Sequence, residues 1–366
     1  MPTMTHPHPA DTAVPGEPRQ VTGGVDTHKD THTAAALDQA TGQLLGHAQF
    51  PATAAGYAAL VSWLQTFGLL VRVGVEGTGV YGAGLARHLH TAAITVVEVD
   101  RPDRKTRRWQ GKSDPVDAEA AARAALAGRA TGVPKQRDGR VEALRALRVA
   151  RRSAVAARAE AQTQIRSLLI TALDELRTHL APMRLRELLT HCATRRPDPA
   201  HADQPETATL IALRSLARRH RELTTEIDDI ESLIAPLVTA INPSLAAMHG
   251  VGPDVAGQLL VTAGENPHRL RSEAAFAMLC GAAPLPASSG RTHRHRLNRG
   301  GDRQANAALY RIVLCRLRWD PRTRDYADRR TAEGMSKKEI IRCLKRYIAR
   351  DIYRALLTTH DLEPAA

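Results

Sequence analysis

The chain has 366 residues and a formal net charge of +13, and 43% of it is hydrophobic. That length suggests two to three domains at roughly 100–200 residues each, and the hydrophobic share excludes a globally disordered chain. No apolar run reaches the ~20 residues of a membrane span; the longest, around Gly68–Val75, is strand-sized and broken by Arg72.

Residues 1–20 are rich in Pro, His and Thr and lack an apolar h-region, so they read as a disordered leader, not a secretory signal. Val21–His28 reads as a strand, followed by Thr33–Asp38 and Leu44–Phe50 across the turn pair Thr41-Gly42. Three short strands in a row predict an antiparallel meander. Ala54–Phe67 has helical spacing at Tyr57, Leu60, Val61 and Leu64, Val71–Glu76 is a compact apolar strand, and Gly84–His90 is helical. Ile94–Val99 is a further strand rich in β-branched residues, and Asp114–Leu126 is an Ala-rich helix. Strands followed by alternating helix and strand are the order of an α/β RNase H-like layer.

The pattern then changes. Val141–Leu180 reads as one continuous charged helix. Pro182, Pro197, Pro199 and Pro205 break residues 181–207, which read as a connection. From Leu210 through Leu213, Leu216, His220, Leu223, Ile227, Ile230, Ile234 and Leu237 to Ile241 the stripe recurs every three or four residues. Two long helices joined by a Pro-rich break suggest an antiparallel hairpin or a coiled-coil stalk; the heptad stripe reads as a coiled coil used for assembly, with His220 as a polar register mark, or as an ordinary amphipathic bundle helix. Asn242-Pro243 ends it. Two glycines in Met248-His-Gly250-Val-Gly252-Pro253 then lead into a helix at Asp254–Thr262, the pattern of a helix-hairpin-helix turn. There the backbone N–H groups of Gly250 and Gly252 can approach a phosphate, although a plain glycine-rich helix start has the same letters. The last helix opens with the capping box Ser336-Lys-Lys-Glu339. Its buried face is Ile340, Ile341, Leu344, Tyr347, Ile348, Ile352 and Leu356, with Lys337, Lys338, Lys345, Arg346 and Arg350 lying largely elsewhere.

The four cysteines, Cys192, Cys280, Cys315 and Cys343, form no C-x-x-C pair. That spacing excludes a zinc ribbon, argues against a disulfide scaffold and fits a reducing cytoplasm. The positive charge is concentrated between Pro284 and Arg354, where 19 Lys and Arg stand against 7 Asp and Glu. Such clustering is the footprint of a polyanionic partner, a nucleic acid. Aromatics make up only 3% of the chain, which argues against base-stacking platforms.

Four carboxylates stand where chemistry is done in α/β layers. Asp26 lies at the end of the first strand, before Thr27, His28 and Lys29, and Glu76 ends the strand Val71–Glu76. Asp114 and Asp117 open the Ala-rich helix after Lys112-Ser113, and their i, i+3 spacing puts both on one face. Clustered carboxylates raise one another's pKa, so hard cations such as Mg²⁺ (or Mn²⁺) would neutralise them, and a metal pair suits phosphate chemistry. Asp114 is also a good helix N-cap with Pro115 at the first helical position, a role compatible with ligation. His28 could touch a metal or phosphate, though a surface histidine is the plainer reading.

A second constellation runs from Gly281 through Ser288-Ser289-Gly290 to Gly300-Gly301-Asp302, and it carries Arg291, Arg294, Arg296, Arg299 and Arg303. Clustered Arg can hold a phosphate and offset developing charge. A serine hydroxyl is a weak nucleophile unless activated. From spacing alone, Ser-Ser-Gly is an ordinary turn beside a phosphate-binding loop.

Taken in order, Asp26-Thr-His-Lys29, Glu76-Gly-Thr-Gly-Val-Tyr81, Lys112-Ser-Asp114-Pro-Val-Asp117-Ala118 and Ser288-Ser289-Gly290 with Gly300-Gly301-Asp302 resemble the DEDD transposases of the insertion sequence 110/116/902 family, related to the Piv/MooV invertases. The resemblance covers about Val21 to Leu357. It implies a RuvC-like catalytic domain over 21–130, a helical coiled-coil region over 141–241, a mainly α C-terminal transposase domain over 245–358 and a tail at 359–366. It implies Mg²⁺ held by Asp26, Glu76, Asp114 and Asp117. It also implies a catalytic serine, best matched by Ser289 with Ser288 as rival, that links covalently to DNA. The same resemblance implies contacts to DNA at the element ends and target, a structured non-coding guide RNA in some members, and dimers that assemble into tetramers near the nucleoid. Lys29, Lys112, Gly250, Gly252, Lys337, Lys338 and the five loop arginines are the expected nucleic-acid contacts. A hydrolytic RuvC-type nuclease, with the serines merely binding phosphate, is the alternative.

Overall fold

The computed structural model describes residues 18–99, 113–291 and 295–358. The expected leader (apart from 18–20) and tail, together with Lys112 and Arg294, lie outside the described residues. The chain divides into two compact units, Met1–Asp138 and Gly139–Ala366. No helix among the described residues is long and apolar enough to cross a membrane.

The first unit is a five-stranded sheet in the order β3-β2-β1-β4-β5. Its strands are β1 (Gln20–Thr27), β2 (Thr31–Asp38), β3 (Leu44–Pro51), β4 (Leu69–Glu76) and β5 (Thr95–Val99). The meander β1–β2–β3 is antiparallel, as expected, and β4 and β5 join in parallel. This mixed sheet is compatible with an RNase H-like fold. The central strand β1 is buried along nearly its whole length, while the edge strand β3 is only partly so. Both faces of β1 are covered. Helix α1 (Ala54–Gln65) lays Leu60, Val61 and Leu64 on Val21, Val25, Val73 and Val75, and α2 (Ala83–Thr91) adds Leu85 and Leu89 to that core.

Helix α3 (Asp114–Leu126) covers β1, β2 and β4 from the opposite side. Ala118, Ala121, Ala122 and Ala125 are its buried alanines. They meet glycines. Gly24 and Gly74 are register partners on β1 and β4. A Cβ on Gly24 would stand 2.1 Å from the Ala122 nitrogen, and one on Gly74 would stand 2.7 Å from the Ala121 oxygen. The helix backbone therefore lies almost directly on the strands, an approach that larger residues on either side would prevent. The helix is capped by Ser113, with Asp114 already helical and the Asp117 N–H closing the first turn on the Ser113 carbonyl at 3.0 Å. That moves the expected cap back by one residue and frees the Asp114 carboxylate.

Among its described residues the second unit is helical, apart from one short hairpin. Helix α4 (Arg140–Thr171) ends at Ala172, whose backbone is extended, and α5 (Asp174–Leu180) follows. The continuous helix expected over 141–180 is thus broken, and the turn returns Leu176 and Leu180 to the cluster that holds Ile165 and Leu169. The expected connection over 181–207 contains another helix, α6 (Leu185–Thr194). None of the four prolines falls inside it, and Leu188, Leu189, Cys192 and Ala193 give it a buried face. Helix α7 (Pro205–Ile241) starts on Pro205, a favoured first position.

Helices α4 and α7 form an antiparallel hairpin. Leu144 shares a core with Ile234 and Val238, Arg151 Nε donates to Glu231 Oε1 at 2.8 Å, and Ile165 shares a core with Leu213 and Ala217. The stripe Leu210–Ile241 therefore packs within the chain, with Ile227 and the small Ala154 and Ala161 buried midway. His220 sits half-buried near Arg158; burial and that charge both push its imidazole below the ordinary value.

The open end of the hairpin joins the C-terminal helices in one core. These helices are α8 (Pro243–Ala246), α9 (Pro253–Ala263), α10 (Glu273–Leu279), α11 (Arg303–Trp319), α12 (Pro321–Ala332) and α13 (Lys337–Thr358). Buried Asn242 ends the stripe as expected: its Oδ1 accepts from the Leu245 N–H at 2.7 Å and its Nδ2 donates to the Ala355 carbonyl at 3.0 Å. A polar hub adds to the apolar core. Asp254 accepts from Arg148 at 2.6 Å, Arg151 at 3.0 Å and Arg311 at 2.8 Å. Burial works to raise the Asp254 pKa, but Arg148, Arg151 and Arg311 hold it below the ordinary carboxylate value. The capping box of α13 is present, with the Ser336 N–H donating to Glu339 Oε2 at 3.0 Å. Two face assignments on α13 are corrected. Lys345 is buried while Tyr347 is 45% exposed, because the lysine has a polar partner inside and the tyrosine points outward.

Candidate functional site

The acidic site forms where strands end and a helix begins. One step beyond the Val25–Val75 pairing, Asp26 and Glu76 come level at the C-terminal ends of neighbouring parallel strands. Side chains alternate along a strand, so both share the face of Gly24 and Gly74, the face covered by α3. The Thr27 hydroxyl donates to the Glu76 carbonyl at 2.8 Å, and Gly77 turns the chain away with φ of +69°. The same close contact that seats α3 brings its first turn, with Asp114 and Asp117, to these strand ends.

The tightest group among the described residues is Asp26, His28 and Asp114, whose ligand atoms lie within 4.8 Å of one another. His28 Nε2 is 3.1 Å from Asp26 Oδ2 and 3.4 Å from Asp114 Oδ1. Asp26 and Asp117 are both buried, while His28 is 46% exposed. Burial pushes the Asp26 carboxyl above its ordinary value; His28 opposes this, and the charges of Asp117 and Asp114 push further upward. The helix N-terminus of α3 favours acids in its first turn and softens that repulsion. Carboxylate oxygens with one imidazole are a donor set that fits a hard divalent cation. His28 is more central than its spacing suggested; its position two residues after Asp26 was the available signal.

The two serines belong to the second unit. A short hairpin pairs β6 (Leu285–Pro286) with β7 (His295–Arg296), and Ser288, Ser289 and Gly290 are exposed near its tip. Gly290 has φ of +55°, and the turn lies at Gly290–Arg291, directly after the two serines. Arg291, Arg296, Arg299 and Arg303 are exposed along the hairpin and at the start of α11. Lys29, beside the acidic site, and Lys337 and Lys338, at the start of α13, are exposed as well. The glycines of the 248–253 turn differ in role. Gly250 has φ of +79° and lies against Cys315 and Arg316, whereas a Cβ on Gly252 would meet nothing within 4 Å. Gly252 caps α9, and its surroundings leave room for a ligand.

Sequence reasoning singled out Gly281 and Gly300-Gly301-Asp302 but not their packing together at the foot of the hairpin. A Cβ on Gly301 would stand 2.3 Å from the Gly281 nitrogen, and the Asp302 N–H donates to the Leu279 carbonyl at 2.7 Å. Asp302 caps α11 and accepts from the Thr262 hydroxyl at 2.7 Å.

Two family models match the chain. That of the IS110 DEDD transposase covers residues 23–173, and that of the IS116/IS110/IS902 transposase family covers residues 242–328. Over 146 residues, 39% of this chain, it is 34% identical to the insertion element IS110 uncharacterized 43.6 kDa protein of Streptomyces coelicolor, covering 36% of that protein. It is 30% identical over 146 residues to the insertion element IS900 uncharacterized 42 kDa protein of Mycobacterium paratuberculosis, again 39% of this chain and 36% of the relative. The similarity thus spans about a third of the length of these curated relatives. With one model over the acidic sheet and the other over the serine hairpin, the chain belongs to the IS110/IS116/IS902 family of DEDD transposases.

Proposed function

We propose that the protein is an insertion-sequence transposase that cuts and rejoins DNA strands through a phosphoserine intermediate. The observation that supports this reading is that Asp114 and His28 close on Asp26, while Glu76 ends the neighbouring strand on the same face and Asp117 lies in the same first turn as Asp114. Asp26, Glu76, Asp114 and Asp117 would hold Mg²⁺ or Mn²⁺, with His28 at its edge. When bound, the cation supplies positive charge that neutralises the carboxylates and draws electrons from the scissile phosphate.

The chain's own groups do the rest. The Ser289 oxygen attacks phosphorus, forming one P–O bond as the bond to the leaving sugar oxygen breaks; the serine proton ends on that sugar hydroxyl. Attack by another sugar hydroxyl reverses the exchange and rejoins the strand without outside energy. Ser288 is the neighbouring rival. Arg291, Arg294, Arg296, Arg299 and Arg303 offset charge on the phosphate, and Lys29, Lys112, Lys337, Lys338 and the Gly250–Gly252 turn grip backbone. Such contacts carry no base information and make binding steeply salt-dependent. Sequence choice by a structured guide RNA fits this, because pairing then supplies what a basic, aromatic-poor surface lacks. Assembly as a dimer or tetramer, with the serine of one subunit meeting the acids of another, fits the exposed Leu233 and Ile170 on the hairpin helices. The expected location is the nucleoid in the cytoplasm.

The exposed setting of the serines, directly before a turn, favours a second reading, a hydrolytic RuvC-type nuclease. Cleavage of element-end DNA in Mg²⁺ separates the two. A detergent-resistant protein–DNA adduct that Ser289→Ala and Asp114→Ala each abolish is expected. An adduct surviving Ser289→Ala moves the nucleophile to Ser288; free cut ends without any adduct support hydrolysis.

A further inference from the structure

The hairpin that carries Ser288 and Ser289 leaves the body at Gly281 and returns at Gly301–Asp302. Both feet meet the first turns of α11. Asn306, one turn into that helix, is the joint. Its Nδ2 donates to the Cys280 carbonyl at 3.0 Å and to the Gly281 carbonyl at 2.9 Å. Its Oδ1 accepts from Lys345 Nζ at 2.8 Å. Lys345 lies on α13 and is only 7% exposed.

The chemistry fixes the direction of this relay. An ammonium has donors and no acceptor, and carbonyls have acceptors and no donor. Between them an asparagine amide fits in one orientation alone. Lys345 therefore holds Oδ1 on its own side, which commits Nδ2 to the two carbonyls at the outgoing foot. The returning foot is fixed separately, by the Asp302 N–H on Leu279 and the Thr262 hydroxyl on the Asp302 carboxylate. A buried lysine whose ammonium donates its hydrogen bond to a neutral amide is a costly choice for stability alone, since an apolar residue of the same size would fill the space. We infer that Asn306 and Lys345 are positioning residues that set the serine hairpin on the body without touching DNA. The inference rests on the reading of the hairpin as the carrier of the nucleophile.

The test uses the full-length protein with Asn306→Asp and Lys345→Met. Asn306→Asp keeps a partner for Lys345 while leaving the Cys280 and Gly281 carbonyls facing an acceptor, so the fold survives and the clamp does not. Lys345→Met keeps the volume and removes the orienting charge. Hydrogen–deuterium exchange is followed over 282–291 and 295–301, beside the rate of adduct formation and the affinity for element-end DNA. Both variants should exchange in that segment about tenfold faster, with the exchange of α4 and α7 unchanged. Adduct formation should slow by about tenfold while DNA affinity stays within about twofold, a split that general destabilisation would not produce. Wild-type exchange in the hairpin and a wild-type adduct rate in both variants would overturn the inference. A wild-type protein that forms no adduct overturns the serine reading instead, and the exchange data then still decide whether the clamp exists.

Discussion

In the N-terminal unit the acidic residues stand on two strand ends and on a helix pressed backbone to backbone against those strands, whereas in the C-terminal unit the two serines stand on an exposed hairpin fastened by polar groups at its foot. The first arrangement leaves no room for adjustment. Carboxylates that repel one another must be held by something that does not yield, and a glycine–alanine interface is incompressible. The second leaves the tip accessible and spends its fixed contacts at the base. A group that must reach a large polyanion gains from exposure; a group that must stay beside like charges gains from burial.

The comparison breaks most severely at Gly24. Gly24→Ala would place a methyl 2.1 Å from the Ala122 nitrogen, so α3 must move. A loss of about 3 kcal/mol or more is expected in a denaturant melt, together with loss of Mg²⁺-dependent cleavage. The same change at Gly252, where a Cβ meets no protein atom, should leave the stability nearly untouched.

Asp254→Ala probes the polar side of the contrast. It strips the partly buried Arg148 of its carboxylate, and a cost of about 3 kcal/mol should appear in thermal melts of the whole chain. Because its pKa is depressed in the fold, Asp254 contributes stability above the ordinary carboxylate value of 3.8 and loses it as pH falls through the depressed one. Wild type and variant should therefore converge in strong acid, which a pH series of melts will show.

The placement of the candidate acidic residues was legible in the sequence, and the reason is local. Asp26, Glu76, Asp114 and Asp117 lie at the ends of elements whose periodicity is plain, so their positions follow from the pattern. The strand meander and the Asn242 break were readable on the same ground. What stayed hidden depends on contacts far apart in the chain. Nothing near Lys345 in sequence separates it from Lys337 and Lys338, yet Asn306 draws it inside. The break at Ala172 contains no glycine or proline; it follows from where Leu176 and Leu180 find their core. The role of the alanines in α3 was read as helix propensity, because their partners Gly24 and Gly74 are strands away.

Asp26→Asn sharpens the contrast with a smaller effect of opposite sign. In the absence of divalent ions it should raise stability at neutral pH by about 1 kcal/mol, since burial and the neighbouring acids oppose the ionised form. The pKa is raised in the fold, so wild type loses stability as pH rises above the ordinary value of 3.8, and the gain of the variant should vanish below it. In wild type, Mg²⁺ at 100 times its Kd should add about 2.7 kcal/mol, and Asp26→Asn should lose most of that increment. The smallest predicted difference lies between the two turn glycines. Gly250→Ala, at φ of +79°, should cost about 1 kcal/mol in a melt, and Gly252→Ala less than about 0.5 kcal/mol.

The most direct measurement is an anomalous difference map from crystals grown with Mn²⁺. A peak in contact with the carboxylates of Asp26 and Asp114, lost in Gly24→Ala or Asp26→Asn crystals, is the predicted result. Ordered carboxylates with no peak between them at saturating Mn²⁺, in a protein that still cleaves DNA, would contradict it.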